Sequence, residues 1–225
     1  MKITYLGHSS FSIKAKTNTS EEITLVTDPF SKESVGINYK PQKADIVTIS
    51  HDHADHNYTK NITGTAFTDY YLLDTPGEYE IKGLRVFGIK SYHDDKEGTE
   101  RGQNIIFVYD FPEARICHLG DLGHPLNSNQ LELLEDIDIL LVPVGGKYTV
   151  DTKLAMQIIE SIEPKIAIPM HYKTNNHNES YKDLATLEDF LKEAGINTPL
   201  EKELTVKSQS DLGSDLKILP LEIIS

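Results

Sequence analysis

The chain concentrates its chemistry in one stretch. His51-Asp52-His53-Ala54-Asp55-His56 carries three histidines and two aspartates in six residues. Imidazole and carboxylate are the usual ligands of borderline divalent metals such as zinc. Just upstream, Ala44-Asp45-Ile46-Val47-Thr48-Ile49-Ser50 is apolar and β-branched, and reads as a buried strand. If the backbone stays extended beyond it, His51 and His53 point to one side and Asp52 to the other. Asp55 and His56 then fall where the chain turns, so strand end and turn together would serve two neighbouring ions. Histidine-rich surface loops also bind metal adventitiously. A cluster that ends an apolar strand and alternates with acids points instead to a built site.

Three more candidates, His93, Asp121 and His171, each follow a strand-like run: 84–91, 115–119 and 165–169. Ligand sites of layered α/β folds form where strand ends meet. Convergence with His51, His53, Asp55 and His56 would give seven ligands, enough for a pair of ions about 3.5–4 Å apart. Other polar residues read more plainly. Asp28, before Pro29, either orients something near the site or is a turn residue. His118 and His124 flank Asp121 and read as polar neighbours without a metal role. Cys117 reads as a small buried residue, His177 as part of a surface loop, and Lys173 as solvated.

The elements needed to position these groups are legible in outline. Ile3, Tyr5, Phe11 and Ile13 suggest two short strands joined through Gly7-His8-Ser9-Ser10, with a polar turn over 14–22 and another strand at 23–27. Short strands punctuated by Pro76-Gly77 and Lys82-Gly83 are expected over 66–87. The polar 96–103 stretch has the look of a mobile loop, followed by a strand at 104–109. Later, Leu131, Leu134 and Ile137 suggest a helix capped at Asn127 or Ser128, and 138–144 is a continuous apolar strand. Leu154, Ile158 and Ile162 mark an amphipathic helix that stops before Pro164. Leu184, Leu187, Leu191 and Ala194 suggest a last helix, with Ser180 and Asp183 as its capping pair. Terminal strands are expected at 200–206 and 216–224. Strands dominate early and alternate with helices late, which favours mixed sheets with helices outside. No linker divides the chain, so residues 1–225 are expected to form a single domain.

Composition narrows the function. Of 225 residues, 38% are hydrophobic and 25% charged, ordinary for a soluble globular protein. The net charge of −13 and the lack of a Lys/Arg cluster disfavour a grip on nucleic-acid phosphates. No apolar run reaches membrane-spanning length. The strand-like N-terminus and the single cysteine, Cys117, favour the cytoplasm over a disulfide-forming compartment.

Taken together, His51-x-His53-x-Asp55-His56, His93, Gly120-Asp121 and His171 resemble the metallo-β-lactamase superfamily. The likeness runs from Tyr5-Leu6-Gly7-His8-Ser9-Ser10-Phe11 to the helix after His171. The Gly-His-Ser start resembles the branch that includes L-ascorbate-6-phosphate lactonases and other metal-dependent hydrolases. The resemblance implies an α/β fold, a four-layer αββα sandwich with mixed sheets. It implies a first metal on His51, His53 and His93, a second on Asp55, His56 and His171, and Asp121 bridging. Asp55 would also handle a proton, and His8 would lie near substrate. The expected cofactors are two divalent ions, Zn2+ first, with Mn2+ or Fe as alternatives. The expected activity is hydrolysis of a small ester, lactone or phosphoester by an activated hydroxide. The alternatives are a phosphodiesterase or nuclease of the same fold, a diiron redox protein, and a non-catalytic metal-binding protein. The expected partner is a small-molecule substrate, and oligomerisation stays open.

Overall fold

The computed structural model describes residues 1–66 and 69–224. Phe67 and Thr68, inside the stretch expected to form short strands, lie outside the described residues. A first sheet uses β1 (Lys2–Gly7), β2 (Ser10–Lys16), β3 (Glu22–Thr27), β5 (Ile46–Thr48) and β7 (Tyr71–Leu73). Between them come α1 (Lys32–Val35) and a small ribbon of β4 (Gln42–Ala44) with β6 (Ile62–Gly64). The second sheet uses β8 (Gly77–Ile81), β9 (Leu84–Tyr92), β10 (Gln103–Asp110), β11 (Arg115–His118), β12 (Ile139–Pro143) and β13 (Ile166–Met170). Helices α2 (Ser128–Leu133), α3 (Thr152–Ile162) and α4 (Leu187–Glu193) belong to this half. Late in the chain, β14 (Leu204–Thr205) returns to β1 in the first sheet and β15 (Lys217–Ile218) joins β13 in the second.

Both sheets are mixed. In the first, β1, β2 and β3 run antiparallel in turn, while β3, β5 and β7 are parallel. In the second, β8 to β11 are antiparallel, and β11, β12 and β13 are parallel. Strands β1, β3, β5, β9, β11 and β13 therefore end at corresponding edges of their sheets.

Period-two alternation builds the layers. Ile3, Tyr5, Phe11, Ile13 and Leu25 face a core shared with Phe107, Tyr109 and Ile116 of the second sheet. Leu6, Val26 and Val47, on the opposite face of the first sheet, pack with Phe30, Val35 and Ile37. The Thr48 and Tyr109 hydroxyls, 2.7 Å apart, tie the two sheets together across the buried interior. The outer cover is uneven: one turn of helix and irregular chain over the first sheet, α3 and α4 on the second. No helix among the described residues is long and apolar enough to cross a membrane.

Four local expectations are corrected. The last helix begins at Leu187, capped by a reciprocal Thr186–Asp189 box rather than by Ser180 and Asp183. The reason is that Ala185 and Thr186 are held extended: Ala185 N–H donates to Gly145 O, and Lys173 pairs with Thr186. The terminal strands shrink to two residues each. Helix α2 closes at Leu133, before Ile137. The loop expected to be mobile is tightly hydrogen-bonded.

Candidate metal centre

Six segments leaving those strand ends supply one polar cluster. His8 follows β1, Asp28 follows β3 and the 50–56 segment follows β5. His93, Asp121 and His171 follow β9, β11 and β13. β5 stops at Thr48, so the histidine-rich segment is not a continued strand. Instead it bends over the core, with His56 N–H donating to His53 O at 2.9 Å and Ser50 O accepting from Ile105 N–H at 2.8 Å. Asp52 is exposed and accepts from Asn57 Nδ2 at 2.5 Å, so it does point away from the cluster.

Two main groups of donor atoms result, and a third, Asp28 with His51 and His56, overlaps both. Nitrogens of His51, His53 and His93 lie within 4.8 Å of one another, and so do donor atoms of His8, Asp55, His56 and His171. Asp121 Oδ2 sits between the groups, 3.3 Å from His93 Nε2, 3.3 Å from His56 Nε2 and 3.1 Å from His171 Nε2. All seven expected ligands are therefore brought together. His8 joins them as an eighth polar group, completely buried behind Asp55 with Nε2 3.1 Å from Asp55 Oδ2. It does not line the open cavity, so it is placed to hold Asp55. Burial and the neighbouring His171 lower its pKa to about 3, which keeps it neutral.

The donor set suits divalent cations. Ser50 donates to Asp28 twice, N–H to Oδ1 at 2.8 Å and Oγ–H to Oδ2 at 2.6 Å. With that hydroxyl hydrogen committed, His51 Nδ1–H donates to Ser50 Oγ at 2.9 Å. His56 Nδ1–H donates to Asp28 Oδ2 at 2.9 Å. Both tautomers leave Nε2 facing the cluster, and both Nε2 atoms are buried without a hydrogen-bond partner. Buried polar nitrogens left this way are costly in a protein interior, and a bound cation is what would satisfy them. Burial pushes Asp121 up, but His171 and His56 outweigh it and hold the carboxyl well below its usual range. Burial likewise pulls His56 down, and Asp121 and Asp55 more than reverse it, so a cation taking Nε2 would displace a proton from it.

A family model described as "Beta-lactamase superfamily domain" matches residues 2–171, which contain every one of these ligand candidates. The chain belongs to the beta-lactamase superfamily. A metal-dependent hydrolase from Staphylothermus marinus is 30% identical over 195 residues, 76% of this chain and 83% of that protein. Another, from Thermoplasma acidophilum, is 29% identical over 195 residues, 77% and 84% of the two chains. A crystal structure from Thermotoga maritima, of a candidate Zn-dependent hydrolase of the metallo-beta-lactamase superfamily, is 32% identical with a TM-score of 0.71. That match covers 98% of this chain and 100% of the other. The protein is accordingly a metal-dependent hydrolase of this superfamily.

Several supports of the superfamily site carry no obvious signal in the sequence. Asn104 is buried in β10; its Oδ1 accepts Asp121 N–H at 2.9 Å while its Nδ2 donates to Ser91 Oγ and Leu119 O. Gly120 takes φ +57°, and a Cβ there would lie 2.3 Å from Asn104 Oδ1 and 2.6 Å from Ser50 Cβ. Only glycine lets the chain turn so close beneath Asp121. His8, Asp28 and His171 all adopt positive φ, 55°, 38° and 53°. Such backbone strain persists where surrounding contacts enforce it, as at functional sites. His171 N–H, for example, donates to His8 O at 2.8 Å.

Other polar residues are accounted for locally. His118 donates Nε2–H to Ser9 O and accepts Gly120 N–H at Nδ1. His124 accepts Tyr92 N–H and lies against Pro125 O. Lys173 Nζ donates to Lys182 O. Cys117 is buried. His177 departs from its reading as loop surface: its Nε2 is buried, and its ring lies 5.1 Å from that of Tyr181.

A cavity of about 290 Å3 opens over the cluster, lined by His53, Asp55, His93, Asp121 and His171 together with Arg101, Tyr148 and Tyr181. Tyr181 OH donates to Asp55 Oδ2 at 2.9 Å. A larger cavity, about 580 Å3, lies at the far end of the second sheet. Its basic groups are taken up by acids, Arg85 and Arg115 by Asp110 and Lys165 by Asp138.

Proposed function

We propose that the protein hydrolyses a small ester, lactone or phosphoester at a two-metal centre. The observation that carries this is the position of Asp121 Oδ2, within 3.1–3.3 Å of histidines from three separate segments. A carboxylate oxygen so surrounded suits a bridge between two cations. His51, His53 and His93 would hold one ion, Asp55, His56 and His171 the other. Zinc is the first choice for a set of imidazoles and carboxylates, with manganese or iron as alternatives. When bound, the ions supply an activated water and positive charge for the developing oxyanion.

The chain's own groups orient and protect that chemistry. Asp55 would receive or return a proton, its Oδ2 steadied by Tyr181 OH at 2.9 Å and His8 Nε2 at 3.1 Å. Asp28 fixes His56 directly and His51 through Ser50, keeping both Nε2 atoms available. The size of the cavity supports a small substrate. The net charge of −13 argues against nucleic acid. One shared core from Ile3 to Leu221 supports reading the chain as a single domain.

The test is turnover of the zinc- or manganese-loaded protein across lactones, simple esters, phosphodiesters and β-lactams. Hydrolysis of a lactone or small ester that disappears with chelation is expected. Turnover of none of these classes by fully loaded protein would overturn the reading.

A further inference from the structure

The loop between β9 and β10 is organised by one carboxylate. Asp94 is 2% exposed and accepts four backbone N–H groups. Lys96 and Gly98 donate to Oδ1 at 2.8 and 2.9 Å, Glu100 and Arg101 to Oδ2 at 3.0 and 2.7 Å. Gly102 N–H then closes onto Gly98 O at 3.0 Å. A polar surface loop would ordinarily be free to move; this one is clamped from within.

What the clamp presents is Arg101. This half-buried residue lines the cavity over Asp55, Asp121 and His171. It also lines a second cleft, of about 420 Å3, beside His51, His53 and Asp74. Among the described residues it is the only lysine or arginine bordering either space. Its guanidinium carbon lies 5.9 Å from the centre of the Tyr148 ring, within cation–π range. Tyr148 is itself pinned, its OH donating to Ser180 O at 3.1 Å. Among the described residues the Arg101 side chain makes no hydrogen bond and no ion pair, while the adjacent Glu100 is taken by Lys96. In a chain with 35 acidic and 22 basic residues, a positioned guanidinium with all its donors uncommitted is set up for a ligand.

We infer that Arg101 is an anion anchor, binding a carboxylate or phosphate on the part of the substrate that does not react. This rests on the hydrolase reading above and narrows its substrate class to esters or lactones that carry a fixed negative charge. The planar guanidinium fork matches either oxyanion in a bidentate manner. The two cavities meeting at Arg101 accommodate the two ends of such a molecule, the scissile group over Asp55 and Asp121 and the charged group on the arginine.

The experiment uses metal-loaded wild type, Arg101→Met and Arg101→Lys with three γ-butyrolactones. These carry a hydroxymethyl, a carboxylate or a phosphomethyl group on the γ-carbon. In wild type the charged lactones should have the higher kcat/KM. Arg101→Met should lower it about 10–100-fold more for a charged lactone than for the hydroxymethyl one, mainly through KM. Arg101→Lys, which keeps a point charge without the fork, should recover part of the loss. Whichever charged lactone shows the larger differential identifies the anchored group as carboxylate or phosphate. Equal losses on all three lactones would overturn the anchor while leaving the hydrolase reading intact. If wild type opens none of them, the lactone reading fails, and the same compounds become calorimetric ligands. The anchor then requires charged lactones to bind at least about tenfold more tightly than the neutral one, with Arg101→Met erasing the difference. No such difference overturns it.

Discussion

The two halves of the chain deliver their site residues by opposite means. The first half spends one irregular segment, 51–56, on four of the candidate ligands and then ties two of them from behind, His51 through Ser50 and His56 through Asp28. The second half spends one residue per strand end: His93, Asp121 and His171. There the Nδ1 atoms of both histidines are buried without a hydrogen-bond partner, and orientation comes from the backbone. Asp121 N–H is held by Asn104, and His171 is fixed in a left-handed conformation bonded to His8 O. Side-chain hydrogen bonds steer the dense segment, whereas strand register steers the sparse one. The two modes should fail differently when disturbed.

The largest effect is expected at the junction of the halves. Asp121→Ala should remove most bound metal and reduce turnover by orders of magnitude, because both donor groups lose their shared carboxylate. His124→Ala, which removes a ring sitting against Tyr92 and Pro125, should do far less. Metal content and turnover measured side by side test this, and equal losses would mean the junction is misplaced.

Within the dense segment, the neighbouring acids should separate cleanly. Asp55→Asn should also cost orders of magnitude and weaken the second ion. Asp52→Asn should cost no more than about tenfold, below the upper end for residues that merely support ligands, since its exposed carboxylate faces Asn57. A variant at Asp52 that sheds a metal while Asp55→Asn retains both would reverse the assignment.

Asp28→Asn sharpens the contrast between the modes. It keeps the shape but weakens the bonds that orient His56 and Ser50. A loss of about 10–100-fold in metal affinity is expected. Thermal stability should change far less than metal affinity. Competition with a chromogenic chelator would measure it, and an unchanged affinity would show that the rear bonds are dispensable.

These contrasts track what could be read from the sequence. The dense segment was legible because five ligand-type residues adjoin one apolar run. The sparse ligands were legible as single polar residues ending strands, once strand ends were expected to converge. Their supports were not. Asn104 sits inside an otherwise apolar strand, and nothing local marks it as the partner of Asp121. Asp28 looked as much like a turn residue as a site residue, because its role depends on chain 22 residues away. The 96–103 stretch looked mobile by composition, since the bonds that fix it come from a single carboxylate and leave no periodic pattern. The last helix was misplaced because pairing of Lys173 with Thr186, a tertiary contact, moved its start.

The smallest effect concerns the opposite end of the first sheet, where Asp45 accepts Thr24 N–H, Thr65 Oγ–H and Lys82 Nζ–H. Burial pushes this carboxyl up, but the bond from Lys82 and those from Thr65 and Thr24 prevail and lower its pKa. A depressed carboxyl binds its proton more weakly folded than unfolded, so its stabilisation is complete above about pH 4 and is lost as pH falls below that. Asp45→Asn should lower the thermal midpoint by about 2–4 °C at neutral pH, with the gap closing toward pH 3. Bound metal at neutral pH should be unchanged. A gap that persists at low pH would assign the effect to packing.

The central claim is that the two halves meet around a pair of ions, and counting the ions tests it most directly. Wild type and His53→Ala would be loaded with excess zinc, freed of unbound metal by gel filtration and analysed for metal per chain. Two ions are expected for wild type and about one for His53→Ala, because Asp55, His56, His171 and Asp121 survive that substitution. A wild-type stoichiometry that saturates at one or less would contradict the two-metal account.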